Sequence, residues 1–159
     1  MSVQLVKEYL KQWDFDKKVK EFEVSSATVE LAAQAVGVIP ARIAKTLSFK
    51  VDEGCVLIVT AGDAKIDNKK YKEFFHTKAK MLTAEEVVEF TGHAIGGVCP
   101  FAIENPNVKV YLDDSMKRFD IVYPAAGSSS SAVELTLPEL EISSGSLAWI
   151  NVCKGWNEE

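Results

Sequence analysis

Residues 46–61 read Thr46-Leu-Ser-Phe-Lys-Val-Asp-Glu-Gly-Cys-Val-Leu-Ile-Val-Thr-Ala61, and this stretch decides the fold. Thr46 to Val51 and Cys55 to Ala61 read as strands, and Asp52-Glu53-Gly54 between them reads as a tight turn. The second run is nearly all apolar. A strand with one wet face alternates apolar and polar residues, so a run without alternation is expected to be central and buried on both faces.

Upstream of this hairpin, Pro40 fits the first turn of a short helix over Pro40 to Ala44, which leaves Lys45 at the helix end. Thr28 to Val36 reads as another short helix, with Ser26 or Thr28 as cap and Gly37 just past its end. Phe22 and Val24 suggest a strand. Val3, Val6, Tyr9, Leu10 and Trp13 fall at helical spacing, so the chain opens with an amphipathic helix.

Downstream, Asn68 to Phe75 reads as a lysine-rich helix with Tyr71, Phe74 and Phe75 on its apolar face. Thr83-Ala-Glu-Glu86 is a capping box that opens a helix to about Phe90. Gly92 to Pro100 is a glycine-rich loop. Strands are expected at Val108 to Leu112, Phe119 to Ala125, Ala132 to Thr136 and Leu147 to Val152. A small-residue turn over Gly127 to Ser131 and a short helix over Leu137 to Leu140 complete the reading. Short strands interleaved with short helices and tight turns give an α+β fold, with helices packed around a mixed, largely antiparallel sheet.

The chain has 159 residues, 47% hydrophobic and 26% charged, a size and composition expected of one domain spanning residues 1–159. No apolar run approaches the roughly 20 residues that span a bilayer. Lys7, Glu8 and Lys11 interrupt the N-terminal apolar pattern, unlike a secretory signal, so a cytoplasmic location with no membrane partner is expected. Three widely spaced cysteines (Cys55, Cys99, Cys153) and two histidines (His76, His93) show neither a disulfide framework nor metal-ligand spacing; no metal and no cofactor are expected.

The net charge of −5 argues against nucleic acid. Its distribution does not. Residues 65–80 hold six lysines, among them Lys65, Lys69, Lys70 and Lys72, against Asp67 and Glu73. That segment reads either as a solvated helix face or as a phosphate-contacting patch on an acidic protein.

Three places could carry chemistry. Lys45 could hold a phosphate or carbonyl, or satisfy helix-end carbonyls. The three glycines in Gly92 to Gly97 let backbone N–H groups approach a developing oxyanion, or serve a structural loop. Gly127 to Ser131 offers hydroxyls to a phosphate or ribose, or is a polar hairpin tip. Nucleophile–base pairs fit poorly. Cys99 precedes a proline with no helix N-terminus to lower its pKa, and the serine run lacks Gly-x-Ser-x-Gly.

Taken in order, Ile43-Ala-Lys45-Thr-Leu, Ala61-Gly-Asp63, Gly96-Gly-Val-Cys-Pro100 and Ala126-Gly127-Ser128 resemble the YbaK/ProX family of aminoacyl-tRNA deacylases, which includes the editing domain of bacterial prolyl-tRNA synthetases. The resemblance runs from about Ser25 to the end. It implies a barrel-like sheet, a required lysine at Lys45, and a Gly-x-x-x-Pro loop at Gly96, Gly97, Val98, Cys99 and Pro100 that shapes the aminoacyl pocket. It also implies pocket roles for Asp63, Gly127, Ser128 and Ser129, with His93 near a substrate-gating position. The implied activity is trans-editing: hydrolysis of an alanine- or cysteine-class amino acid from mischarged tRNA, most often proline tRNA, assisted by the substrate's own ribose hydroxyl. Prolyl-tRNA synthetase or an elongation factor would bring the substrate. A non-catalytic tRNA- or synthetase-binding module is the alternative.

Overall fold

The computed structural model describes residues 2–23 and 28–156. Its elements run α1 (Ser2–Leu10), β1 (Val19–Glu21), α2 (Val29–Val36), β2 (Ile43–Val51), β3 (Gly54–Ala61), β4 (Lys65–Ile66), α3 (Asn68–Phe75), α4 (Ala84–Thr91), β5 (Val108–Asp113), β6 (Ile121–Pro124), β7 (Ser131–Val133), β8 (Leu135–Thr136), α5 (Leu137–Ser144), β9 (Trp149–Ile150) and β10 (Cys153–Lys154).

The β2–β3 hairpin is the spine. Its strands pair antiparallel from Ala44↔Ala61 to Val51↔Gly54, leaving Asp52 and Glu53 as the loop. Asp52 takes a left-handed φ of +52°, a conformation that aspartate tolerates better than most residues. Gly54 lets the Asn107 backbone come close: a Cβ there would collide with the Asn107 carbonyl oxygen, which accepts from Cys55 N–H at 3.0 Å.

The main sheet has the order β8-β6-β2-β3-β5-β9. β2–β3 and β6–β8 are antiparallel; β2–β6, β3–β5 and β5–β9 are parallel. Two antiparallel ladders, β1–β7 and β4–β10, sit beside it. The result is a curled, partly closed mixed sheet ringed by short helices, the α+β architecture expected. β3 lies between β2 and β5, and every residue from Cys55 to Ala61 is buried.

Helices pack on this core with the side chains that their periodicity sets aside for it. Val6 and Leu10 of α1, Tyr71 of α3 and Leu140 of α5 are completely buried. Each such large side chain contributes on the order of 1.5–3 kcal/mol by leaving water. Tyr71 meets Phe49 of β2 and Phe75 of its own helix, with ring centroids 5.1 and 4.6 Å away. Thr28 caps α2 and a complete Thr83–Glu86 box opens α4, as the sequence calls for, and Asp67, for which the sequence reading names no cap role, caps α3.

Several boundaries differ from expectation. The first strand is Val19–Glu21, paired with β7; the Phe22 N–H adds one bond to the Ser130 carbonyl, while Val24 and Ser26 lie outside the described residues. The expected helix Pro40 to Ala44 is a 3₁₀ turn over Pro40–Arg42, and β2 already begins at Ile43. Ile43 and Ala44 are claimed by Tyr123 and Pro124 on one side, and Ala44 by Ala61 on the other, so sheet pairing overrides the local helix signal. Lys45 is therefore a strand residue, opposite Thr60, and not a helix-end residue. The expected strand Ala132 to Thr136 divides at Glu134 between two partners, and Leu147 to Val152 contributes only Trp149–Ile150 before the chain turns to pair with β4.

Candidate functional site

β2 and β6 share only two residue pairs, Ile43↔Tyr123 and Ala44↔Pro124. The ladder does not go on to Lys45 and Ala125. Farther along, the same edge of β2 is closed again, by the Phe49↔Met81 bridge and a 2.7 Å bond from Lys50 N–H to the Lys80 carbonyl. Between these closures the strands part.

A cleft of about 270 Å³ opens in the gap. This split explains why six consecutive residues, Ile43 to Ser48, all line it. The first turn of α2 (Thr28, Val29, Ala32) forms one wall; Met81, Leu82 and Val87 form another. Ile95, Gly96 and Val98 line it too, as do Tyr123, Ala125, Ser128, Ser131 and Ala132. The lining is mostly apolar, and Thr46 Oγ1 is buried with no hydrogen-bond partner among the described residues.

Lys45 is half-buried at the cleft. Its Nζ donates a long bond, 3.4 Å, to the Gly62 carbonyl. Burial pushes the Lys45 ammonium below the ordinary lysine range, against the opposing pull of Cys153 and the Asp63 carboxylate. Gly62 is a glycine because its loop is wedged against the Pro40 turn: a Cβ would collide with the Pro40 carbonyl oxygen and stand 2.7 Å from Val29 Cγ1.

The glycine loop meets the serine turn. Gly96 takes a φ of +98° and lines the cleft. Gly97 lies behind it, backbone against backbone: a Cβ there would stand 2.6 Å from both the Gly127 carbonyl carbon and the Ser128 nitrogen. Ser128 Oγ donates to Ser131 Oγ at 2.9 Å and accepts from Ser130 N–H at 3.2 Å, so the hydroxyls brace the turn. Among the described residues the partners of the Ser128 hydroxyl are Ser130 and Ser131, and neither is a base.

Of the residues singled out in the sequence, Lys45, Gly96, Val98 and Ser128 meet at the cleft. Gly97 and Gly127 form the contact behind it, and Ser129 abuts Gly96. Cys99 and Pro100 are buried behind the loop. Asp63 does not line the cleft; Arg118 holds it in an ion pair, which keeps its carboxyl below the usual carboxylate range.

His93 is buried, with Nε2 2.8 Å from the Phe101 carbonyl and 3.5 Å from Cys99 Sγ. A carbonyl only accepts, so Nε2 carries the proton and cannot take one from the thiol. Burial pushes the Cys99 thiol up to about 12. The pair is therefore a packed contact without nucleophilic character.

Lys65, Lys69 and Lys72 are exposed on β4 and α3, with no ion pair among the described residues. Lys70 differs. Its Nζ bonds Asn151 Oδ1 at 3.2 Å and the Cys153 carbonyl at 3.0 Å, tying α3 to the C-terminal segment. Among the described residues no group of three His, Cys, Asp or Glu side chains is placed to hold a metal ion, and no helix is long and apolar enough to cross a membrane.

Sequence reasoning missed Thr46, Tyr123 and Ile95 as cleft residues and Arg118 as the partner of Asp63. Thr46 follows Lys45, but strand alternation alone puts the two on opposite faces; only the parted edge brings both to the cleft.

The fold has counterparts among known proteins. The chain is 54% identical over 157 residues to the uncharacterised protein YwhH of Bacillus subtilis (strain 168), covering 98% of this chain and 99% of that one. It is 26% identical over 114 residues to the proline–tRNA ligase of Thermotoga maritima, covering 70% of this chain and 20% of the ligase; the chain thus spans about a fifth of the ligases it matches. A crystal structure described as a candidate trans-editing enzyme for prolyl-tRNA synthetase superposes with a TM-score of 0.87 at 32% identity, covering 97% of this chain and 98% of that one. The aminoacyl-tRNA editing domain profile matches residues 23–141. The chain belongs to the aminoacyl-tRNA editing domain family, and its fold is that of the YbaK/ProX-type deacylases.

Proposed function

We propose that this chain is a free-standing editing hydrolase that frees proline tRNA of a wrongly attached alanine- or cysteine-class amino acid in the cytoplasm. The observation that carries this reading is the mostly apolar cleft that Lys45, Gly96 and Val98 line together. A cleft of about 270 Å³ has room for an aminoacyl group. Size alone separates neighbours that differ by one methylene about 10–200-fold.

No activated nucleophile faces the cleft among the described residues, and the ester does not require one. The terminal ribose carries a free hydroxyl beside the aminoacyl ester; a water that this hydroxyl orients attacks the carbonyl carbon, the ester C–O bond to the ribose breaks, and the departing ribose oxygen takes up the proton that the water gives up. The protein positions the ester and stabilises the oxyanion. Lys45 orients the carbonyl or the terminal phosphate. Lys65, Lys69 and Lys72 receive the acceptor stem, and prolyl-tRNA synthetase or an elongation factor delivers the substrate. Lys65 stands opposite Lys154 in the β4–β10 ladder, a like-charge pair that a phosphate would relieve.

The test is hydrolysis of proline tRNA charged with alanine, cysteine, serine or proline. Selective release of one mischarged amino acid is expected. No release from any of them would favour the binding-module alternative, against which the open cleft already speaks.

A further inference from the structure

Along β2 the backbone alternates in direction, and the closing bonds fix which residues face the parted edge. A two-residue hairpin loop closes on Val51↔Gly54, so odd-numbered residues of β2 turn their N–H and C=O toward β3. Lys50 N–H points the other way, to the Lys80 carbonyl, as this parity requires. Thr46 and Ser48 therefore present their backbone to the edge on which the cleft opens. No strand pairs with β2 there between Ala44 and Phe49 among the described residues.

Backbone groups shielded from bulk water are almost always paired in folded proteins. Here a short stretch of strand edge is kept open inside a mostly apolar cleft, flanked by closed edge on both sides. Thr46 adds a hydroxyl that is buried and without a partner among the described residues. An open strand edge is a template for one more residue in extended conformation. An α-aminoacyl group has the matching pattern, a nitrogen donor and a carbonyl acceptor on either side of one Cα.

We infer that the β2 edge at Thr46 and Ser48 is the subsite that reads the α-amino acid backbone, with the substrate adding a one-residue strand to the sheet. The substrate's α-ammonium donates to the Thr46 carbonyl. The backbone N–H of Thr46 or Ser48 donates to the ester carbonyl, where negative charge develops during attack. Side-chain size is judged by the apolar walls; that the substrate is an α-amino acid at all is judged by this edge. Lys45, adjacent in sequence, is thereby held beside the same ester.

This inference rests on the deacylase reading and goes beyond it. The probe is 3′-alanylamino-3′-deoxyadenosine, whose amide resists hydrolysis, compared with its N-acetyl and propionyl counterparts. Amide resonances of the ¹⁵N-labelled protein are followed during titration. The Thr46 and Ser48 amide resonances are expected to move most, and the N-acetyl and propionyl forms to bind about tenfold to a hundredfold more weakly. Equal binding of all three probes, or shifts that leave Thr46 and Ser48 unmoved, would overturn the edge subsite. Loss of the deacylase reading would show separately, as absent hydrolysis of every charged tRNA.

Discussion

Arg118 grips Asp63 with two parallel hydrogen bonds, Nη1 to Oδ2 at 2.9 Å and Nη2 to Oδ1. The guanidinium is itself fixed, 4.9 Å from the Phe119 ring centroid and 5.2 Å from that of Trp156, with a further 3.1 Å bond to the Trp156 carbonyl. The residue before Asp63 is Gly62, whose carbonyl receives Lys45 Nζ. Arg118 thus steadies the loop against which Lys45 is set. Arg118→Ala is expected to lower kcat several-fold with little change in KM, and Arg118→Lys to recover part of it, since a lysine keeps the charge without the two-pronged fork. The ion pair is partly exposed, so the stability cost of breaking it is at most about 1 kcal/mol. Unchanged kcat in Arg118→Ala would detach this loop from the placement of Lys45.

Lys45 also leaves a signature in stability. Its ammonium is pushed below the ordinary lysine range by burial. Between that lowered value and the unfolded value of about 10.4, the unfolded chain binds more protons at this site, so stability rises with pH through the window. Below the window the charged, half-buried ammonium costs stability. Lys45→Met is therefore expected to melt at or above the wild-type temperature at pH 7, with the difference closing as pH approaches 10. A variant that melts well below wild type at pH 7 would contradict this.

Much of the fold was legible because the chain's local signals agree with its tertiary pairing. The apolar run Cys55 to Ala61 became the buried central strand, and Thr83–Glu86 and Asn68 to Phe75 formed the helices that their residues specify. Lys45 was misplaced as a helix-end residue because Pro40 is a local helix signal, while the pairing of Ala44 with Pro124 and Ala61 is long-range. The cleft could not be read from sequence. It depends on where β2 and β6 part, and no periodicity marks that point. Asp63 was visible through its motif, but its partner Arg118 lies 55 residues away.

The three cysteines are expected to be inert. All are buried, and burial holds Cys55 and Cys99 up to about 12 and Cys153 above the ordinary thiol range. Treating the folded protein with iodoacetamide at neutral pH should leave deacylation intact. Cys99→Ala should retain activity at a modest cost in stability. Rapid inactivation by the reagent, prevented in Cys99→Ala, would instead identify Cys99 as a nucleophile.

The lysine segment divides into two kinds of residue. Lys69 and Lys72 are exposed and make no ion pair among the described residues, so reversing both to glutamate should weaken tRNA binding and flatten its salt dependence, with the melting temperature preserved. Lys70 ties α3 to Asn151 and Cys153, so Lys70→Glu should lower the melting temperature as well. Binding and salt slope unchanged in the Lys69/Lys72 double variant would return this face to simple solvation.

The role of Lys45 is tested most directly by single-turnover deacylation of alanine- and cysteine-charged proline tRNA, with wild type, Lys45→Ala and Lys45→Arg side by side. Wild type is expected to release one of the two amino acids. Lys45→Ala is expected to lose at least about a hundredfold in rate, the scale of removing one group that stabilises the oxyanion, while remaining folded. A Lys45→Ala protein that turns over at the wild-type rate would contradict the account, because the cleft would then perform its chemistry without the residue around which it is built.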